Sequence, residues 1–210
     1  MGDDSMPQKK GAARERNFRS IALALFIAII IIQTIVPFLG YITLGPVSIT
    51  LLQITTAIAA ITLGTRSGVI VGTVWGVIEF VRSWAAPTTP FAALMMHNPF
   101  ASILARSLVG LFAGLTYVYF AKRMKHKQFG MAAAGFMASF TNTFFVLLFT
   151  WLGFMLFQTG FGGITGGAWV PFLLGIAGAN GIPELIASTI LTPLIATPLV
   201  IALKRNGHLD

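Results

Sequence analysis

Six apolar runs, each close to the length that crosses a bilayer, divide this chain: Ile21 to Val36, Val47 to Leu63, Val69 to Trp84, Pro99 to Ala121, Met131 to Phe157 and Ile182 to Leu203. About 20 residues of helix span the roughly 30 Å of a hydrocarbon core. A soluble domain carries about 25% charged residues; here 10% of 210 residues are charged and 56% are hydrophobic. The surface needed to face water is missing. The pattern predicts an all-α integral membrane protein with six transmembrane helices in one bundle. The first run is too long for a signal-peptide core and lacks a small-residue cleavage site, so it reads as a retained helix.

The breaks between runs are Gly64-Thr65-Arg66-Ser67, Ala85 to Asn98, Lys122 to Gln128 and a Gly-rich stretch from Gln158 to Gly181. Within the last, Trp169 to Ala177 is too short to span and reads as an interfacial or re-entrant helix. The segments Phe38 to Pro46 and Ala85 to Asn98 are rich in Gly and Pro, which favours compact turns over loose linkers. Most of the 14 Lys and Arg residues fall in the N-terminal stretch, at Arg66, in the loop holding Lys122, Arg123, Lys125 and Lys127, and at Lys204 and Arg205. Cytoplasmic loops carry the excess of basic residues. Six spans with both termini cytoplasmic satisfy this; an odd number would place the C-terminal pair on the wrong side. The expected organisation is a basic tail at 1–19, a membrane domain at 20–205 and a short cytoplasmic tail at 206–210. The net charge of +8 is thus a statement about membrane orientation and does not point to nucleic acid. The absence of cysteine excludes disulfides and thiolate chemistry.

Four charges belong to neither the basic face nor the chain ends: Glu79, Arg82, Arg106 and Glu184. An ionisable residue within a span costs about 2.5 to 3.5 kcal/mol on insertion scales, so it faces a bundle interior and marks a functional site. All four fall in the outer halves of their helices. Glu79 and Arg82, spaced i, i+3, are placed to pair on one helix face. Arg106 lies roughly 12 Å deep at the helical rise, and Glu184 opens the last helix. Structural ion pairs between helices are one reading; snorkelling is another for Arg82. The sharper reading is an outward-facing pocket in which Arg106, or Arg82, takes the carboxylate of a small solute through its planar guanidinium. Gln53, Asn142 and Asn180 offer donors and acceptors at similar depth, suited to hydroxyl and amide groups or to a neighbouring helix. Tyr41, Trp75, Trp84, Trp151 and Trp169 are placed for ligand stacking or for an interfacial aromatic belt. His97 is a possible loop contact, and three scattered histidines make no metal site.

Gly64, Gly68, Gly72 and Gly76 recur every four residues, and Gly110 and Gly114 repeat the spacing; such stripes let helices approach closely. Ala24 and Ala28, with Ala22 nearby, form a similar patch on the first helix, whose uniformly apolar remainder leaves room for an outside partner. No nucleotide-binding glycine loop, nucleophile elbow or zinc-protease motif is present, which argues against enzymatic activity. An intramembrane enzyme using Ser107 or Ser139 would need an activating base among the outer acids. The nearly uncharged inner halves argue against a channel, and no repeat relates the first and last three helices, as autonomous secondary carriers commonly show.

The stretches PFLGYITLGPVSITLLQITTAIAAITLGTRSGVIVGTVWGVIEFVRSW at 37–84, NPFASILARSLVGLFAG at 98–114 and NGIPELIASTILTPL at 180–194 resemble the substrate-capture (S) components of energy-coupling factor (ECF) vitamin transporters, most of all the pantothenate-type members. The resemblance covers about residues 20–205. It implies a multi-pass plasma-membrane subunit that binds a vitamin from outside and delivers it inward with a transmembrane coupling subunit and two cytosolic ATPases. ATP and Mg are then used by those partners, and the chain needs no cofactor of its own. The run from Ala24 to Ala28 matches the small-residue motif through which such subunits dock on the coupling protein. Pantothenate has one carboxylate for Arg106 or Arg82 and hydroxyl and amide groups for Gln53, Asn142, Asn180 and Glu184. Pyridoxine and hydroxymethylpyrimidine lack a carboxylate and rank lower; riboflavin and an autonomous carrier are further alternatives.

Overall fold

The computed structural model describes residues 6–44, 47–86, 93, 95–124, 126–157 and 169–207. Several features expected from the sequence lie outside them: residues 87–92 of the second Gly/Pro segment, Lys125, most of the Gly-rich stretch at 158–168, His208 and Asp210. Helix α1 (Met6–Ile35) is followed by a single turn, α2 (Pro37–Gly40), and by a two-stranded hairpin of β1 (Tyr41–Leu44) and β2 (Val47–Thr50). Then come α3 (Leu52–Leu63) and α4 (Thr65–Ala85), a π-helical turn (Phe100–Leu104) running into α5 (Ala105–Arg123), and α6 (Lys127–Phe157). Last, α7 (Trp169–Ile176), a second π-helical turn (Ala177–Gly181) and α8 (Ile182–Arg205) form one unbroken helical run.

The chain is built of membrane-type helices, and the structure corrects the sequence reading at three places. Among the described residues five helices are long and apolar enough to cross a bilayer, and Leu52–Leu63 is a shorter apolar helix. The run expected to span from Val47 gives its first four residues to β2, which pairs antiparallel with β1. Periodicity cannot separate a short apolar strand from a helix end, and Val, Ile and Thr favour the strand. The stretch Trp169 to Ala177, expected to lie apart from the last span, continues into it through the π-helical turn. The stretch expected as a polar tail is helical from Met6.

The α3–α4 connection is one residue long. Gly64 sits at φ +94°, a conformation that side chains rarely adopt, and lets the chain reverse there. Beyond it, the glycine stripe of α4 lies against α3, the first π-helical turn and the backbone of α5. A Cβ on Gly68 would meet the Ala60 side chain at 2.5 Å, one on Gly72 the Arg106 carbonyl oxygen at 2.2 Å, and one on Gly76 the Ser102 carbonyl oxygen at 2.6 Å. Gly110 answers from the other side, against the Gly68 carbonyl. The stripe therefore packs within the bundle. Gly135 of α6 does the same against α8, where an added Cβ would lie 2.3 Å from the Ser188 carbonyl oxygen. Between α3, α6 and α8 lies an apolar core of Ile54, Ile58, Ile61, Met131, Ala134, Ala196 and Val200. The α1 face bearing Ala24, Leu25, Ala28 and Ile29 is exposed.

Candidate functional site

Helix polarity puts the C-terminal end of α4, the start of α5, the middle of α6 and the start of α8 together, and the polar side chains of these segments meet. Gln53, Glu79, Arg106, Asn142 and Glu184 are all buried, with Tyr41, Trp75, Ser139 and Ser188. Gln53 is the hub: its Nε2 faces the Ser188 hydroxyl at 3.1 Å, the Ser139 hydroxyl at 3.2 Å and the Glu184 Oε2 at 3.4 Å, and its Oε1 has no hydrogen-bond partner. The Asn142 Oδ1 is likewise buried and unpartnered. Buried polar atoms are rarely left so, because each costs its desolvation.

Arg106 is 6% exposed and faces the interior, not lipid. One guanidinium nitrogen donates to the Ala101 carbonyl at 2.5 Å, the plane lies over the Trp75 ring at 5.0 Å, and Nε has no partner. Among the described residues no carboxylate comes within ion-pairing distance of it. The local backbone explains the pose. In the π-helical turn the Ala105 N–H reaches back five residues to the Phe100 carbonyl, and Arg106 spans the same interval with its side chain to hold Ala101. Such turns insert one residue into a helix and recur at functional sites. The second one, Ala177–Gly181, ends three residues before Glu184, so a π-helical turn precedes each of these two buried charges.

The other two charges do not pair as i, i+3 spacing predicted. The Tyr41 hydroxyl donates to Glu79 Oε2 at 2.5 Å, while the Arg82 guanidinium donates to the Thr34 carbonyl at 2.7 Å and lies 5.4 Å from the Tyr41 ring centre. Glu79 faces the interior and Arg82 turns aside to the last turn of α1, where a cation offsets the helix-end carbonyls. Burial, and after it the nearby Glu79 carboxylate, raises the Tyr41 phenol well above its ordinary pKa, so the phenol remains a donor at physiological pH. Glu184 accepts the Thr50 backbone N–H at 2.7 Å.

Trp84 and His97 stand apart from this cluster. Trp84 is 66% exposed, its ring stacks on His97 at 3.8 Å, and His97 Nε2 meets the Ser83 carbonyl at 3.0 Å. Asn180 is half-buried in the second π-helical turn. Ser107 bonds Thr73 and the Ile103 carbonyl, and Ser139 accepts from Gln53, so neither has a carboxylate as hydrogen-bond partner. Sequence reasoning missed Ser188 and Thr50. Ser188 was within reach, being four residues after Glu184 on the same helix face; the Thr50 contact is made by the backbone and leaves no side-chain signal.

Fold and cluster together define a helical membrane subunit with a polar, charge-bearing interior at one end of its bundle. Residues 19–196 match the family described as "ECF transporter, substrate-specific component", and the chain belongs to that family. It is 37% identical over 196 residues to the "Pantothenate transporter PanT" of Leuconostoc mesenteroides subsp. mesenteroides, a match covering 89% of this chain and 94% of that protein. It is 32% identical over 199 residues to the "Pantothenic acid transporter PanT" of Lactococcus lactis subsp. cremoris, covering 88% and 94%.

Proposed function

We propose that this S component binds pantothenate from the outside of the cell membrane, with both termini in the cytoplasm, and releases it inward when a coupling subunit and two cytosolic ATPases consume ATP with Mg. The observation that carries the reading is Arg106, a buried guanidinium with a free Nε and no carboxylate partner among the described residues. A ligand carboxylate supplies the missing acceptor and gains charge-assisted, bidentate bonds. Glu79, Arg82, Arg106 and Glu184 sum to zero formal charge, so Arg106 is offset by acids of the same cluster without an ion-pair contact that the ligand must break. Gln53 Oε1 and Asn142 Oδ1 are acceptors awaiting donors, which the pantoyl hydroxyls and the amide N–H provide; Asn180, half-buried in the second π-helical turn, adds a further amide. Glu79 and Glu184 set the local charge, and the Trp84–His97 stack lies at the end of α4.

The chain works as a binding subunit and catalyses no reaction of its own. Its exposed Ala24 and Ala28, with Ala22, form the surface offered to the coupling subunit, because small residues let a partner helix approach closely. Calorimetry on ligand-depleted protein, with Arg106→Ala beside it, tests the proposal: pantothenate binds the wild type and is lost from the variant. Equal affinity in the two removes Arg106 from the carboxylate role. Tight binding of pyridoxine or a hydroxymethylpyrimidine, with none of pantothenate, replaces the ligand.

A further inference from the structure

The two buried acids of the cluster do not suit an anionic ligand, and both are already engaged by the same piece of chain. Tyr41 and Thr50 are cross-strand partners at the base of the hairpin. Tyr41 gives its hydroxyl to Glu79 on α4, and Thr50 gives its backbone N–H to Glu184 on α8. One residue pair thus bridges two helices through two carboxylates. Directly below it, the Leu51 N–H bonds the Gly40 carbonyl at 2.8 Å and closes the hairpin base. Strands of four residues make a two-stranded ribbon that is at best marginal by itself, so these tie points decide where the hairpin sits. Hydrogen bonds to a carboxylate are about twice as strong as neutral ones.

We propose that Glu79 and Glu184 are positioning residues that strap the hairpin base across the polar cluster, and that the strap sets how fast a ligand enters and leaves. This rests on the pantothenate reading only for its kinetic part. Ligand passage on the hairpin side requires the Tyr41–Thr50 pair to lift, which breaks one or both carboxylate bonds and leaves Arg106, held by Ala101 and Trp75, in place. Loosening the strap therefore speeds entry and exit together and changes affinity little. A lost ligand contact acts differently, raising the exit rate alone.

The test uses the full chain in lipid nanodiscs, comparing wild type with Tyr41→Phe, Glu184→Ala and Glu184→Gln. Without ligand, amide hydrogen exchange across residues 41–51 is expected to rise about tenfold in Tyr41→Phe and Glu184→Ala, and less in Glu184→Gln, which keeps an acceptor oxygen. Stopped-flow mixing of Tyr41→Phe with pantothenate is expected to show association and dissociation rate constants both raised at least about fivefold, with Kd within about threefold of wild type. Unchanged exchange in both Tyr41→Phe and Glu184→Ala overturns the strap, as does a faster dissociation with unaltered association. Tyr41→Phe removes only a hydroxyl and guards against a folding defect in Glu184→Ala. If the wild type binds no pantothenate, the proposed ligand falls, and the ligand-free exchange comparison still decides the strap.

Discussion

Two walls enclose the polar cluster, and they are built by opposite means. Where α4 meets the first π-helical turn and α5, backbone touches backbone: the glycines of one helix leave no space for even a methyl group, and Arg106 and Trp75 ride on that contact. On the other side the cluster is closed by a short hairpin tied through side chains, beside an α1 in which 11% of the most apolar window is buried, against 39% in α4. Close-packed backbone cannot yield gradually, whereas a hydrogen-bonded ribbon can detach and return. On the proposed reading, the charge that meets the ligand sits on the rigid wall, and the parts that must move for it to enter sit on the other.

The harshest way to break this contrast is to thicken the rigid wall. Gly72→Val places a side chain against the Arg106 carbonyl oxygen, 2.2 Å from the ideal Cβ, where only backbone could give way. Overpacking costs about 1–3 kcal/mol and more when backbone must shift, so the variant is expected to lose about 3 kcal/mol or more and to bind no pantothenate. Thermal unfolding in nanodiscs measures it. Gly175→Ala, with nothing within 4 Å of the added methyl, is the control and should stay within about 0.5 kcal/mol of wild type.

Next in size is Arg106 itself. Two charge-assisted hydrogen bonds contribute about 1.5–3 kcal/mol each, so Arg106→Ala should weaken pantothenate at least about 100-fold. Arg106→Lys should recover little of this, since an ammonium cannot reproduce the planar fork. Pantothenol, which has a hydroxyl in place of the carboxylate, sharpens the result: calorimetry should find its affinity for Arg106→Ala close to that for wild type. A comparable loss of both ligands would mean that the arginine shapes the site without meeting the carboxylate.

The rigid wall was largely legible before any coordinates, because its signals are chemical. Gly64, Gly68, Gly72 and Gly76 at intervals of four announce a close helix contact, and an arginine inside a span announces an interior polar site. The movable wall was not. In YITLGPVSIT the β-branched residues around Gly45-Pro46 signal a hairpin, but Val47 to Thr50 merge into the apolar run of α3, and hydrophobicity alone reads them as helix. The Glu79 and Arg82 spacing suggested a pair; the cost of burying Glu79 is met instead by Tyr41, a residue 38 positions away. Neither π-helical turn has a sequence signature here, although one precedes each of Arg106 and Glu184.

A smaller effect belongs to the amides that serve neither wall. Gln53→Ala and Asn142→Ala each remove an acceptor with no protein partner, Gln53 Oε1 and Asn142 Oδ1. A neutral hydrogen bond contributes about 0.5–1.5 kcal/mol, so each change should weaken pantothenate by up to about tenfold. Gln53→Ala also strips a donor from Ser139, Ser188 and Glu184, and should lower thermal stability where Asn142→Ala does not. If the two variants behave alike in stability, Gln53 is not the hub that its three contacts describe.

The smallest effect on the chain itself is expected at the alanines of α1, and it isolates the outer surface from both walls. Ala24 and Ala28 are exposed, so Ala24→Leu with Ala28→Leu adds bulk where nothing in the bundle resists it. Unfolding temperature and pantothenate affinity should stay at wild-type values. Co-purification with the coupling subunit and ATP-driven uptake in proteoliposomes should both be lost, because the added leucines hold the partner helix off. Intact uptake by the double variant would move the docking surface away from α1. A fall in affinity would show that α1 belongs to the binding site, and the division into a rigid wall that grips and a movable side that admits would then need redrawing.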